Sequence, residues 1–252
     1  MSETGVVTAC LPNDFPGRVR ARDGSEVVCA ARLLEPSDVD AVYALHREAI
    51  RGMGSDLVAS ETRAFFVDHV ARIGRLCGVT AGTRLIAYAV LGLPGDGDPN
   101  FGQDLDLGAD DLARVAHLDG VAVAPVFRGN GLQCVLARWR RALATSMGRT
   151  LAMSTAAPGN RQSVRNLLAS GLQIRGLRVK FGGWRYLLAV DACRTERPAM
   201  GGRWLAIADL ALQQQLLEQG WRGWALDDGG DRVLFAPIDE RAAGHFPLQR
   251  SA

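Results

Sequence analysis

The chain has 252 residues, 48% apolar and 22% charged, with a formal net charge of +2. These proportions exclude a disordered or collagen-like chain and argue against a nucleic-acid binder, which carries a strong basic stripe. No apolar run reaches the roughly 18–20 residues that span a bilayer, and Met1 to Phe15 show no basic segment followed by an apolar one, so a cytoplasmic protein with no membrane partner is expected.

The elements follow in chain order. Arg18 to Glu35 reads as two strands around Asp23-Gly24, a pair that favours tight hairpins because Gly tolerates positive φ. A helix is expected from Ser37, with Asp40 completing a capping box and Val39, Val42, Leu45 and Ile50 on its apolar face. A second helix fits 60–73. Strands over 76–80 and 84–93 pair around Ala81-Gly82, and Pro94 ends the second. The polar stretch Gly95 to Asp111 reads as an insertion or flexible loop rather than core.

A strand over 116–124 then ends at Pro125, and a sharp loop feeds a helix over 132–147. There Leu132, Val135, Leu136, Trp139 and Leu143 keep helical periodicity. A short strand over 151–155, a helix through Leu168 capped by Asn160 or Ser163, and paired strands over 172–180 and 184–190 follow.

The tail opens with a linker near Arg197 to Gly202, then a helix over 206–218 and a hairpin closed by Asp227-Asp228-Gly229-Gly230. Leu167-Leu168-Ala169-Ser170-Gly171 echoes Leu216-Leu217-Glu218-Gln219-Gly220, and each precedes a hairpin. Chance similarity and a duplicated half-unit both fit. A tail of about 60 residues has little independent stability, so it is expected to pack on the main domain or on a second subunit.

The five cysteines have no CxxC spacing and read as free, mostly buried thiols. His46, His69, His117 and His245 are too dispersed to mark a metal site. Lys180 is the single lysine; the arginines that make up the other basic residues are scattered, which reads as coding bias.

The chemistry concentrates in Ala116 to Leu132, where a strand runs into a glycine-containing loop and straight into a helix. The first turn of a helix presents unpaired N–H groups at a positive dipole end, and Gly129 and Gly131 let backbone approach a bulky anion such as a pyrophosphate. The stretch is neither a Walker loop, for want of Gly-Lys, nor a dinucleotide fingerprint, because Cys134 stands at the third glycine position.

Val123-Ala124-Pro125-Val126-Phe127-Arg128-Gly129-Asn130-Gly131-Leu132 resembles the acyl-CoA-binding motif of the GNAT family of N-acetyltransferases, in which Arg128, Gly129 and Gly131 match and Gln133 replaces the usual small residue. Asn160, Ser163, Leu167 and Gly171-Leu172 resemble the family's second motif, with Leu167 where a Tyr is common. The resemblance covers about Val27 to Val190. It implies a mixed α/β fold with a central, mostly antiparallel, splayed sheet flanked by helices, and here a C-terminal helix-hairpin extension. The expected division is an extension and first-strand hairpin over 1–35, an acyl-CoA-binding domain over 36–192 and the extension over 193–252.

It also implies acetyl-CoA as co-substrate, no metal, and transfer of the acetyl group to a primary amine of a small molecule by direct attack in a ternary complex. Backbone groups of Val121, Ala122 and Val123 would bond the pantetheine arm. The N–H groups of Arg128, Gly129, Asn130, Gly131, Leu132 and Gln133 would hold the pyrophosphate, and Asn160 would contact the arm. Asp119 and His117 are the candidates for proton removal, against bland readings as strand and packing residues. Ser163 is a candidate acid in place of the missing Tyr.

Arg138, Arg140, Arg141 and Arg165 read mainly as a solvated helix face and secondarily as contacts to the adenosine phosphate. Trp184, Trp204, Trp221 and Trp224 read as sealing the tail onto the sheet. A catalytically weak acyl-CoA sensor or scaffold, a protein N-acetyltransferase and a homodimer remain open alternatives at this stage.

Overall fold

A computed structural model describes residues 11–239 and 244–245. They form two compact units. The first runs to Pro99 and takes up Ala116–Arg149; the second holds Asn100–Val115 and the described chain from Thr150 onward. Cys10 lies outside the described residues, as do the side chain of His245 and the end of the tail.

The first unit opens with the hairpin of β1 (Arg18–Arg20) and β2 (Glu26–Val28). Asp23 Oδ1 accepts from the Ser25 amide (2.9 Å) and hydroxyl (2.6 Å), and Gly24 sits at φ +89°, so the Asp-Gly turn forms as predicted. The second predicted strand is in fact two. Cys29 interrupts it, and β3 (Ala30–Leu34) turns away to pair with β4 (Gly74–Ala81). β5 (Arg84–Gly92) and β6 (Val115–Val123) complete an antiparallel meander. Ile86 to Leu91 are all fully buried, as in a strand covered on both faces.

Three helices belong to this unit. α1 (Val39–Ala49) buries Val39, Val42 and Leu45 as predicted, and also His46. It is not capped by Ser37. Glu35 and Asp38 form the capping box around a short turn over Pro36–Asp38, because Pro36 suits a first turn whose N–H has no intrahelical acceptor. α2 (Arg63–Asp68), capped by Thr62, is shorter than predicted, and the chain widens into a π-helical turn over His69–Ile73. α3 (Leu132–Ser146) buries the five predicted apolar residues but also Arg140, which was expected on a solvated face and is 1% exposed.

The second unit holds β7 (Leu151–Ala156), α4 (Arg161–Ala169), β8 (Gln173–Lys180) and β9 (Gly183–Asp191). The short β10 (Arg194–Thr195) follows, and then β11 (Arg203–Ala206), α5 (Leu210–Glu218), β12 (Arg222–Leu226) and β13 (Arg232–Ala236). β10 pairs with β14 (Gly244–His245). The second series repeats the first. β7 and β8 pair with β9 as β11 and β12 pair with β13, and β8 meets β12 at Ile174 and Gly223. The strand order β7-β9-β8-β12-β13-β11 therefore reads the same from either side of the β8–β12 line.

Each helix of the pair has nine residues. Each starts from a cap at φ −83°, ψ 65°, whose side-chain oxygen accepts an amide N–H three residues on: Asn160 from Ser163 and Asp209 from Leu212, both at 3.2 Å. The sequence echo is thus a structural repeat. Tyr186 of β9 donates to Gln213 Oε1 of α5 at 2.6 Å, joining the two copies.

Two further expectations change here. Ala206 ends a strand rather than starting a helix, and Gly95–Asp111 is not simply a loop. It carries a short turn over Phe101–Leu105, and Phe101, Leu105 and Leu107 pack on Val115, Leu151, Met153 and Ala189. Among the tail tryptophans, Trp224 Nε1 donates to the Ala236 carbonyl at 3.1 Å, and Trp204, 43% exposed, carries Arg232 over its ring. No described helix is long and apolar enough to cross a membrane.

Candidate active site

The corner after β6 is shaped by backbone. Pro125–Phe127 make one tight turn; Gly129 at φ +89° and Gly131 at φ +70° then reverse the chain into α3, which begins at Leu132 with Gly131 as its cap. A Cβ at either glycine would meet no heavy atom within 4 Å, so this surface is open to an approaching group. The Cys134 and Val135 amides both donate to the Gly131 carbonyl (3.0 and 3.2 Å), so the positive end of α3 stands directly behind the glycine loop. A positive helix terminus behind an open glycine loop suits a diphosphate.

The side chains of the corner are engaged elsewhere. Asn130 Oδ1 accepts from the Arg20 amide (2.9 Å), while its Nδ2 donates to the carbonyls of Arg20 (2.8 Å) and Phe127 (2.9 Å). Arg128 Nη2 donates to the Ala49 carbonyl at 2.8 Å, where α1 ends. Both residues hold the corner in place with their side chains, and the Arg128 amide closes the preceding turn on the Pro125 carbonyl at 3.5 Å. Asn130→Ala is expected to cost about 1–2 kcal/mol, since it removes three hydrogen bonds worth roughly 0.5–1.5 kcal/mol each, partly replaced by water. Urea unfolding measures it.

Upstream, β6 carries a β-bulge. Ala89 faces Val121 and Leu91 faces Leu118, so Val90 faces two residues, Asp119 and Gly120. Arg140 on α3 fills the gap this leaves in the ladder: its Nη1 donates to the carbonyls of Val90 (2.8 Å) and Asp119 (3.0 Å). Burial pushes the Arg140 guanidinium down to about 10, against the pull of Cys77, Asp119 and Tyr88, so it is still a cation at pH 7.

The Asp119 carboxylate meets two histidines: Oδ2 is 3.4 Å from His69 Nε2 and 3.9 Å from His117 Nδ1. A Cβ on Gly92 would collide with that carboxylate, which explains the glycine ending β5. His69 Nδ1 lies 2.7 Å from the Phe65 carbonyl and must carry a hydrogen to bond it. Burial lowers the His69 pKa, but the hydrogen bonds to Asp119 and Phe65 and the charges of Asp119 and Glu61 outweigh it and leave it raised.

Glu61 completes the cluster. Its Cγ lies 3.9 Å from where a Cβ on Gly120 would stand, and Tyr88 Oη is equally close to that point. The Glu61 amide donates to His46 Nε2 (3.0 Å), so His46 carries its proton on Nδ1 and donates to Tyr88 Oη at 2.8 Å. Burial, then the charge of Arg47, lowers the His46 pKa, which keeps that ring neutral. Burial and, after it, the charge of Asp119 raise the Glu61 carboxyl, with His69 opposing.

Asp119 and His117 lie side by side at the bulge. Glu61, His46, His69 and Tyr88 join them without having been read as site residues, and Arg140 joins them through the bulge carbonyls rather than through an adenosine phosphate. Val121, Ala122 and Val123 pair along β5 with Ala89, Tyr88 and Ala87. Asn160 and Ser163 lie in the second unit, the Asn160 side chain capping α4 through the Ser163 amide, and Leu167 is buried there. No group of three or more His, Cys, Asp or Glu among the described residues is placed to hold a metal ion.

No protein-family model matches the chain, and no curated protein sequence does. Solved structures do. The GNAT domain of S. lividans PAT is 16% identical, covers 71% of this chain and 98% of its own, and superposes with a TM-score of 0.51. A GNAT-family acetyltransferase of Streptococcus pneumoniae is 13% identical over 65% of this chain and 99% of its own, with a TM-score of 0.51. The yncA protein of Salmonella typhimurium, solved with acetyl-CoA, is 16% identical over 65% and 94%, with a TM-score of 0.50. The chain is a mixed α/β protein with a mostly antiparallel sheet flanked by helices. Its fold is that of the GNAT acetyltransferases.

Proposed function

We propose that the chain is an acetyl-CoA-dependent N-acetyltransferase that moves the acetyl group to a primary amine of a small molecule by direct attack in a ternary complex. The observation that carries this reading is the corner Arg128–Gln133. Two glycines with left-handed backbone open a helix N-terminus directly after a bulged strand that carries acid–base residues. Structural neighbours described as acetyltransferases, one solved with acetyl-CoA, support it at the level of fold.

The amide donors of the corner would hold the diphosphate, and the backbone of Val121 to Val123 the pantetheine arm. Asp119 and His117, at the bulge, stand where the thioester end is expected. Holding amine and thioester together supplies the rate through positioning, and preorganised backbone N–H dipoles would stabilise the oxyanion.

Calorimetry with acetyl-CoA, followed by thiol release across a panel of primary amines, tests the proposal. Gly131→Glu adds a carboxylate and a side chain at φ +70° and is expected to weaken acetyl-CoA binding at least about 100-fold, close to 3 kcal/mol. Absence of binding by the wild-type protein overturns the reading. Binding with no transfer to any amine favours a sensor or scaffold, the alternative that buried Leu167 in place of a Tyr suggests.

A further inference from the structure

We propose that Glu61 takes the proton from the acceptor amine, while Asp119 is committed to holding His69; this rests on the acetyl-transfer reading above. The two carboxylates meet at the same bulge but have opposite surroundings. Asp119 faces an imidazole whose Nδ1–H is already given to the Phe65 carbonyl, so its Nε2 offers Asp119 a proton only as an imidazolium. His69 Nε2, 3.4 Å away, thus takes up the Asp119 Oδ2 that the acceptor amine would need. Glu61 has no cation at pairing distance among the described ion pairs. It lies over Gly120, the bulge residue that lacks a side chain, and its carboxyl is raised by burial and by Asp119. A carboxylate with a raised pKa is a stronger base, nearer the working pH.

The position of Glu61 is fixed through its backbone. Its amide is tied to His46, which is tied to Tyr88, a fully buried residue of β5. The titratable groups facing it or its partners from the packed elements are His46 on α1, His69 after α2, Tyr88 on β5, Asp119 and His117 on β6, and Arg140 on α3. His46 is kept neutral, so it adds no charge to the cluster.

In the step itself the amine nitrogen forms the C–N bond to the acetyl carbon, and its surplus proton passes to a Glu61 carboxylate oxygen. The C–S bond breaks with its electron pair going to sulfur. The thiolate is then protonated, in sum by the same proton, which returns Glu61 to its ionised state.

The test compares wild type, Glu61→Gln, Glu61→Asp and Asp119→Asn over pH 6 to about 10 with an amine that wild type acetylates. Glu61→Gln is expected to lower kcat about 10²–10⁴-fold at neutral pH. The deficit should shrink at high pH, where hydroxide takes the surplus proton of the attacking amine in place of Glu61. Acetyl-CoA affinity by calorimetry should stay within about twofold, because Glu61 is not in the corner. Glu61→Asp should recover part of the rate. Asp119→Asn should lower kcat less than Glu61→Gln does and move the acid limb to lower pH, since the charge that helps raise Glu61 is gone.

A raised carboxyl favours the protonated folded state, so its folding contribution declines as pH rises from the unfolded pKa through the folded one. Glu61→Gln should therefore be no less stable than wild type at pH 7, which separates lost chemistry from lost fold. Wild-type rate and acid limb in Glu61→Gln overturn the inference, as does loss of turnover in Asp119→Asn with the pH dependence expected of Glu61→Gln. Acetyl-CoA binding by wild type without transfer to any amine overturns the transfer reading, and this inference with it.

Discussion

Replacing Arg140 with alanine is expected to cost about 3–5 kcal/mol in urea unfolding, the range for breaking a buried charged network. Arg140 is 1% exposed, and its Nη1 is the donor that satisfies the Val90 and Asp119 carbonyls at the bulge. Alanine leaves both carbonyls without that donor and opens a cavity between α3 and the sheet. Arg140→Met separates the two costs. It fills most of the volume but donates nothing, so its residual loss, about 1–3 kcal/mol, reports the unmet carbonyls. The bulge sets where Asp119 and Gly120 lie, so Met should also weaken acetyl-CoA binding, with Lys partly restoring it. Equal stability of Met and wild type would show that the bulge does not need the guanidinium.

The second large effect concerns the repeat. Gln213 is fully buried on α5. It accepts from Tyr186 Oη at 2.6 Å and donates to the Ala206 carbonyl at 2.7 Å, so one side chain joins β9, α5 and β11. Burial holds the Tyr186 pKa well above that of an ordinary phenol, and the hydroxyl stays protonated as the donor. Gln213→Ala is expected to cost about 2–4 kcal/mol, from two buried groups left unpaired and a small cavity. Gln213→Leu with Tyr186→Phe removes both partners and should recover part of the loss of Gln213→Leu alone. A double-mutant cycle on chemical denaturation reads the coupling. Strict additivity would mean that this bond does not hold the two copies together.

Different parts of the site differ in how far they were legible. The corner could be read because its chemistry is local. Gly129, Gly131 and the helix behind them are adjacent in sequence, and anion binding there needs only backbone conformation. The echo between the segments ending at Gly171 and Gly220 was legible for the same reason, since a helix stop followed by a hairpin is written in a few consecutive residues. The acid–base cluster was not. Asp119 and His117 stood out because they share the motif strand. Glu61, His46 and His69 lie on other elements, and no spacing between them forecasts that α1, the π-helical turn and the bulge converge. Arg140 was misread on a solvated face because charge normally predicts exposure; only the bulge creates carbonyls deep enough to hold a guanidinium.

Sequence alone therefore determined the periodic elements, the glycine turns and the phosphate-shaped corner, each of which follows from the backbone preferences of neighbouring residues. Tertiary structure alone decided which carboxylate is paired and which is raised. That choice depends on burial and on the distance to a cation, and both come from chain segments far apart in sequence.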